Sequence, residues 1–556
     1  MNAVTSPRAR LVDLLWQLKQ AYDNGEDQSD VRFIHFNTLL NDDVYRTEIV
    51  SRAVQSSNRK IRELGQKLRD LNRDGALLHT RSSGQPAGVP LIINPDIRDT
   101  LQQRNTPTSP SRRAWRPWLQ AAIALLGLVA VALFGYNQRD ILRVVLDGQQ
   151  TVRGEISGQQ TWSADRTWVL DGLVFVTPGS SLTLEPGTRV LGRPGSALIV
   201  SRGAQLYARG SADKPVVFSS AQPTGSRRAG DWGGVVLLGS APVNVADARI
   251  EGIPENDSRG AFGGDDPASS CGLLEYTRIE FAGYEISRDN ELNGLTLGGC
   301  GDGTIVRHVQ VHRGLDDGIE VFGGTVDMQH IVITGADDDS LDWDMGWQGR
   351  VQFLIIEQYA SVGDNAFEGD NNKKAPDATP RSAPVIYNAT LVSPRSRGKH
   401  HRAMTLRHGS GGEFRNFIIT GFSGEAIDIG GSHSAQQAIN GGLLVANSLF
   451  HNIGARGRGW FEDEQMDRDD DNGFDELAFF SDALLQNSFG LDPLLPRQAT
   501  SLNAPDFSPS TRSPTRNNAA PVPKGEFWDE AADYLGAIRP GTVNSWADGW
   551  TDYPLY

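Results

Sequence analysis

Three stretches decide the fold: Gly-Leu-Asp-Asp-Gly-Ile-Glu-Val at 314–321, Ala-Asp-Asp-Asp-Ser-Leu-Asp-Trp at 336–343 and Gly-Asp-Asn-Ala-Phe-Glu-Gly-Asp at 363–370. Each opens on an acidic corner and then places an apolar residue directly before a second acid. Those apolar residues, Ile319, Leu341 and Phe367, recur 22 and 26 residues apart. A β-patterned run follows each corner, at 326–334, 351–359 and 385–392. Self-similarity at roughly 20–30 residues marks a stacked-repeat architecture. Strand-sized units with Gly, Asp and Asn corners, and no helical pattern between them, predict a parallel β-helix.

The rhythm extends both ways. Leu295 lies 24 residues before Ile319, and Val235 in Gly-Gly-Val-Val-Leu-Leu fits a still earlier rung. Met404 and Ile427, 23 residues apart, continue it forward. Earlier strands are expected at 168–176, 181–184 and 197–200, where β-branched and aromatic residues are bounded by Gly, Pro and Asp. Residues 244–270 read as a loop inserted into one coil. The β-helix is therefore assigned to 150–457, with a C-terminal cap at 458–556 covering the exposed last coil.

The chain before the β-helix is of a different kind. Residues 1–78 read as a small helical domain, with Leu11, Leu14, Leu15, Leu18 and Tyr22 at helical spacing and a second pattern through Ile49, Ala53, Ile61, Leu64 and Leu68. No catalytic spacing appears there, so this head is expected to dock to a cytoplasmic partner. Residues 79–114, rich in Pro, Ser and Arg, form a linker. Residues 115–137 contain the one long apolar run, 119–136, about the ~20 residues that cross a bilayer. Trp115, Trp118 and Tyr136 flank it as aromatic belts, and Arg104, Arg112, Arg113 and Arg116 outnumber Arg139 and Arg143. Ser111-Arg112-Arg113 also resembles a twin-arginine export signal. A start beyond residue 100 and the lack of an Ala-x-Ala site favour a single-pass anchor in a bacterial inner membrane, with a cytoplasmic N-terminus and a periplasmic β-helix.

Charge follows the same division. Of the formal net charge of −15, residues 1–113 carry +4, Arg116 adds +1, and 137–556 carry −20. Nucleic acid is excluded as a partner of so acidic a body, because phosphate binding needs clustered Lys and Arg.

Several motifs resemble a known family. Leu-Thr-Leu-Glu-Pro-Gly-Thr at 182–188, Arg-Gly-Ala-Gln-Leu at 202–206, Ala-Asp-Lys-Pro-Val-Val-Phe at 212–218 and Gly-Asp-Trp-Gly-Gly at 230–234 match its opening coils. Ile-Glu-Phe-Ala-Gly at 279–283, Asp-Asn-Glu-Leu-Asn-Gly-Leu-Thr-Leu-Gly-Gly at 289–299 and Phe-Gly-Gly-Thr-Val at 322–326 continue the match. Over roughly 150–556 the chain resembles bacterial secreted or surface β-helix proteins that include a spirochaete outer-membrane lipoprotein. The resemblance implies a right-handed, pectin-lyase-like parallel β-helix outside the cytoplasm and brings no catalytic residues to carry over. The head and anchor depart from that family's front end.

The acidic ladder is the strongest candidate site. Stacked coils lie about 4.8 Å apart, which places Glu320, Asp342 and Glu368 one above another. Alternation turns each outward, toward solvent. Asp317, Asp339 and Asp364 lie at the adjoining corners, with Asp316 and Asp338 close by. Calcium suits such an oxygen-rich face. An enzymatic alternative uses the same face, with Asp317, Asp339, Asp342 and His408 as catalytic candidates. Asp-Asp-Gly-Ile followed by Asp-Asp-Asp-Ser-Leu faintly resembles polygalacturonases, but Arg407-His408-Gly409 is the nearest approach to that family's Gly-His-Gly motif. A lyase would need an Arg or Lys base, for which Lys399, Arg402 and Arg407 are candidates.

Residues 462–476 fail the EF-hand pattern. With Asp467 in position one, Asn472 stands where Gly is needed and Ala478 where Glu is needed. A looser calcium loop through Asp467, Asp469 and Asp471 competes there with a solvated acidic loop. The aromatics Trp528, Tyr534, Trp546, Trp550, Tyr553 and Tyr556 are expected to pack the cap on the last coil rather than stack on sugars. Cys271 and Cys300, 29 residues apart, fall near one coil plus a short excess, so a disulfide between neighbouring coils competes with two buried thiols. The functional expectation is a membrane-anchored envelope protein with a binding or structural role, calcium-stabilised and carbohydrate-binding. The alternative is an envelope polysaccharide hydrolase or lyase.

Overall fold

The structure, a computed structural model, describes 148–254, 256–287, 290–395, 401–454 and 471–556, with 457 and 459–461. Near the N-terminus it describes 43–56, 58–73 and Leu14, Leu15, Gln17, Leu18 and Ala21. The chain divides into two units, Met1–Ala114 and Trp115–Tyr556. The expected membrane-spanning stretch, 115–137, lies outside the described residues; among the described residues no helix is long and apolar enough to cross a bilayer.

In the first unit the pattern from Ile49 to Leu68 forms two helices, Asp43–Gln55 and Arg59–Arg73, rather than one. The break is chemical. The Asn58 side chain accepts from the N–H of Lys60 at 2.8 Å and of Ile61 at 3.3 Å, satisfying the first free donors of the second helix. The buried stripe of Leu14, Leu15, Leu18, Ile49, Ala53, Ile61, Leu64 and Leu68 makes one small core. Gly65 allows the crossing, since a Cβ there would lie 2.8 Å from the Ala53 Cβ.

The second unit is a parallel β-helix. Long strands Gly272–Glu280, Ile305–His312, Asp327–Thr334, Arg350–Glu357 and Val385–Val392 stack coil on coil. Short strands Val235–Leu238, Leu295–Gly298, Ile319–Phe322, Leu341–Asp344, Asn365–Asp370 and Arg402–Arg407 stack on another face. The register pairs Leu295, Ile319, Leu341, Phe367 and Met404 in succession. All five are buried and form a column inside the helix. Around them Trp343, Phe367, Phe414 and Phe417 make a contiguous aromatic interior. Each long strand bends at one left-handed residue, Tyr276, His308, His330, Phe353 and Asn388 in turn, with φ of 46°, 53°, 57°, 63° and 57°. Asn416 and Asn447 hold the same corner in the next coils.

Residues 244–270 leave the coil and return. Their apolar residues Ala248, Ile250, Ile253 and Phe262 cover Val236 and Leu238 of the short-strand face. Cys271, at the end of this loop, is joined to Cys300 by a disulfide with a Cα–Cα distance of 5.8 Å, buried in the core. Closing a loop of 29 residues should stabilise the fold by roughly 3–4 kcal/mol in the chain-entropy account. We expect the unfolded, unreduced protein to titrate no thiol and the Cys271→Ser/Cys300→Ser variant to melt several degrees lower. Two free thiols would contradict the bond.

The C-terminal region corrects the expected cap. Phe480 and the strand Ser488–Phe489 do close the last coil, packing with Phe450 and Phe461. Beyond 491, however, the chain runs back along the outside of the long-strand face. Side-chain amides hold it like a β-ladder: Asn416 exchanges two bonds with the Ala520 backbone, Gln352 with Asp529 and Gln310 with Asp552. Trp528 packs on Tyr387, and Trp546 and Trp550 on His330 and His308. These aromatics therefore cover middle coils, not the last one. Period-seeking cannot detect such a strap, because it has no period of its own.

Candidate functional site

The corners come first. Asn293 Oδ1 accepts from Asp317 N at 3.3 Å, Asp317 Oδ1 from Asp339 N at 2.9 Å, and Asp339 Oδ1 from Asn365 N at 2.6 Å. Each side chain thus satisfies the backbone of the next coil. Asn293 shows that an amide suffices for this bond. The charge on Asp317 and Asp339 exceeds what the turn requires, and each carboxylate keeps a second oxygen.

Beside the corner runs the column Thr296, Glu320, Asp342, Glu368, Thr405, Asp428, in continuous register. Two residues further along the same strands, hence on the same face, lie Asp344, Asp370 and Arg407. Glu320 Oε2 accepts from Asn293 Nδ2 at 2.5 Å. Asp342 Oδ1 is buried with no hydrogen-bond partner among the described residues. Glu368 is held by Arg407, which also reaches Asp370 at 3.1 Å. His408 Nδ1 lies 2.8 Å from Asp370 Oδ2.

Three sets of carboxylates have oxygens within 4.8 Å of one another: Asp317 with Glu320 and Asp342, Asp316 with Asp317 and Asp338, and Asp338 with Asp339 and Asp364. The acidic face is solvated only in part: Asp338 and Asp364 are exposed and Asp342 half-buried. Asp317, Glu320 and Asp339 are only 7%, 8% and 4% exposed. Glu251, from the inserted loop, and Glu291, from the hairpin that pairs Glu285–Ser287 with Asn290–Glu291, add charge close by. Burial, and then these neighbouring charges, push Asp316 up to about 8. Burial first and neighbouring carboxylates second hold Asp317, Glu320, Asp339 and Asp342 well above the ordinary range. Burial raises Glu368 to about 7, with Arg407 opposing it, and Asp344 to about 6.

The donor set fits a hard cation. All ligand atoms in the three sets are oxygens, and two carboxylates binding one calcium at about 2.3–2.6 Å would put their oxygens no more than about 5 Å apart. No imidazole or thiolate enters these sets, which disfavours zinc. His408 and Arg407 stand beside Asp370, next to the Glu368 end of the acidic column.

Of the residues expected from sequence, Asp317, Glu320 and Asp342 come together, Asp339 and Asp364 meet in a separate set with Asp338, and Glu368 is drawn toward Arg407. Arg402 is held by Glu425 at 2.8 Å and Asp428 at 3.5 Å. Lys399, Asp467 and Asp469 lie outside the described residues, whereas Asp471 caps the N–H groups of Gly473 and Phe474. Sequence reading missed Asn293, Asp344 and Asp370. The signal existed, because Asp344 and Asp370 follow Asp342 and Glu368 by two residues and so share their face.

A family model described as a pectate-lyase-like β-helix domain matches residues 154–474, more than half the chain. The chain belongs to that family. No curated protein and no solved structure matches it. The matched span of the pectate-lyase-like β-helix domain contains every residue of the acidic cluster and ends before the strap. Membership fits a carbohydrate-related role and leaves binding and bond cleavage to be distinguished by the site itself.

Proposed function

We propose that the acidic cluster binds carbohydrate through a divalent cation, calcium by preference, and that the β-helix is a binding module of the cell envelope. The observation that carries this reading is the Asp317–Glu320–Asp342 set: three carboxylates within 4.8 Å, none paired with a cationic side chain by any ion pair among the described residues. Calcium would relieve their repulsion and leave coordination positions for sugar hydroxyl or carboxylate oxygens. Magnesium should serve less well, because it dehydrates reluctantly and demands octahedral geometry. The test is binding of envelope oligosaccharides with calcium and with chelator. Binding that vanishes with chelator and returns with calcium supports the reading; binding indifferent to calcium contradicts it.

A second reading rests on the His408–Asp370 contact. A histidine oriented by a carboxylate is the arrangement of a general base, and the raised carboxylates nearby could hold a proton for a leaving group. Release of shortened products by the wild type, lost in His408→Asn, would establish hydrolase or lyase activity.

We place the protein in a bacterial inner membrane through 115–137, with the head toward a cytoplasmic partner and the β-helix in the periplasm. The apolar run with its aromatic flanks supports this, as does the disulfide, which suits an oxidising compartment. Reporters active only outside the cytoplasm should work when fused after Gln150 and fail after Thr80. The reverse pattern would refute the orientation.

A further inference from the structure

The strap is held by two chemically different halves. Between 515 and 537 the polar corner residues beneath it are asparagines, with the Phe353 ring packed among the strap's apolar side chains. Asn447 Nδ2 donates to Asn518 O at 3.2 Å, Asn416 Nδ2 to Ala520 O at 3.0 Å, and Asn388 Nδ2 to Tyr534 O at 2.7 Å. None of these groups titrates in the physiological range. In the earlier coils the same corner is occupied by rings. Tyr276, His308, His330 and Phe353 form one continuous stack, with centroids 4.3, 4.4 and 4.9 Å apart. The two imidazoles are parallel within 3°. Trp550 closes the stack edge-on over Tyr276 and His308, and Trp546 does so over His330. Nδ1 of His308 and Nδ1 of His330 are buried without a hydrogen-bond partner among the described residues. At the strap's end, fully buried His312 bonds Pro554 O through Nε2 at 3.0 Å and Thr334 Oγ1 through Nδ1 at 2.7 Å.

We propose that the terminal segment 546–556 is a pH-released latch: it seats only while His308, His330 and His312 are neutral, and acid frees it while 515–537 stays seated. Two imidazolium rings 4.4 Å apart under indoles would repel in a medium that screens poorly. The charged groups nearby do not neutralise them. Glu275 is already paired with Arg307 at 2.6 Å, and that arginine adds positive charge beside the stack. Arg278 lies between Glu280 at 3.0 Å and Asp552 at 3.5 Å, and Arg313 stands over the Tyr359 ring beside His312. From the strap, Asp548 is engaged with Ser545, and from the sheet Glu357 is buried, which pushes its carboxyl well above the ordinary range against the pull of Arg313. Burial lowers His308 to about 4, and His330 and His312 to about 3.

The sign follows from proton counting. The seated state holds neutral imidazoles, whereas a released segment leaves them to titrate near the ordinary value of about 6.5. Seating is thus fully favoured above that pH and weakens as pH falls from it toward the seated values. The seating constant should drop by up to about tenfold per pH unit for each histidine.

Hydrogen exchange on the full chain, corrected for the intrinsic pH dependence of exchange, tests this between about pH 7.5 and pH 4.5. Protection of 546–556 should fall a hundredfold or more, while that of 515–537 changes less than tenfold. The double variant His308→Asn/His330→Asn, with asparagine as at the later corners, should lose most of the slope. Equal loss in both segments, or none in either, overturns the latch. An unchanged slope in the variant also overturns it, by assigning release to Asp552 or Asp548. If that variant does not fold, the contrast between the two wild-type segments decides.

Discussion

Asp342→Asn should raise the melting temperature of the calcium-free protein and lower that of the calcium-loaded protein. Without a cation, Asp342 lies in register with Glu320 below and Glu368 above, and one of its oxygens is buried with no donor. Two such charges about 4 Å apart repel by about 4 kcal/mol at an effective dielectric constant near 20, before protonation relieves part of it. Removing one of them relaxes the column. With calcium at a thousandfold its dissociation constant, binding adds about 4 kcal/mol to wild-type stability, and an amide in place of a carboxylate ligand forfeits much of that. The curves should therefore cross. The calcium-free gain should also grow with pH. Carboxylates whose folded values are raised contribute stability that is present below their ordinary value, near 4, and lost as pH rises through the folded one. Here the loss begins near 4 and continues upward through the raised folded values, that of Asp316 being about 8. Variant and wild type should thus differ more at pH 8 than at pH 5 in chelator. Parallel displacement of both curves would show that Asp342 is only a packing residue.

Trp343→Ala should be the most damaging single change near the site. Its side chain is fully buried against Phe367, Phe414 and Trp347, at centroid distances of 5.6, 5.9 and 6.1 Å. The next coil supplies Gly369, where a Cβ would lie 2.3 Å from the indole, so the ring and the glycine fit each other. Its N–H donates to Ser410 Oγ at 3.0 Å. Loss of the ring costs about 3–5 kcal/mol by the usual cavity cost and leaves Ser410 without its donor. Because Trp343 separates Asp342 from Asp344 on one strand, the calcium response should shrink as well. Trp343→Phe should retain most of both. A melting temperature within a degree of wild type for Trp343→Ala would contradict the packing described.

What the sequence made legible was whatever repeats. The steps from Ile319 to Leu341 to Phe367 locate the inner column, and the acid after each locates Glu320, Asp342 and Glu368 in register. The same 22-residue step links His308 to His330, so that pair was accessible to the argument used for the core. What escaped was non-local. Alternation says that Glu320 leaves the interior, but its low exposure depends on surroundings brought from elsewhere in the chain, among them Glu251 on an insertion with no period. The strap escaped for the same reason. Asp529 and Asp552 find their partners in Gln352 and Gln310, 177 and 242 residues away, through side-chain amides that no spacing rule links to a distant backbone.

The proposal at the centre of this account is that the acidic cluster holds a divalent cation. Calorimetric titration of calcium into the chelator-treated protein tests it most directly, with Asp317→Asn/Asp342→Asn as the comparison. Saturable binding to the wild type, weaker for magnesium and lost in the double variant while the variant keeps its β-helical circular dichroism, is the predicted result. No saturable heat in the wild type, or equal binding by the variant, would contradict it.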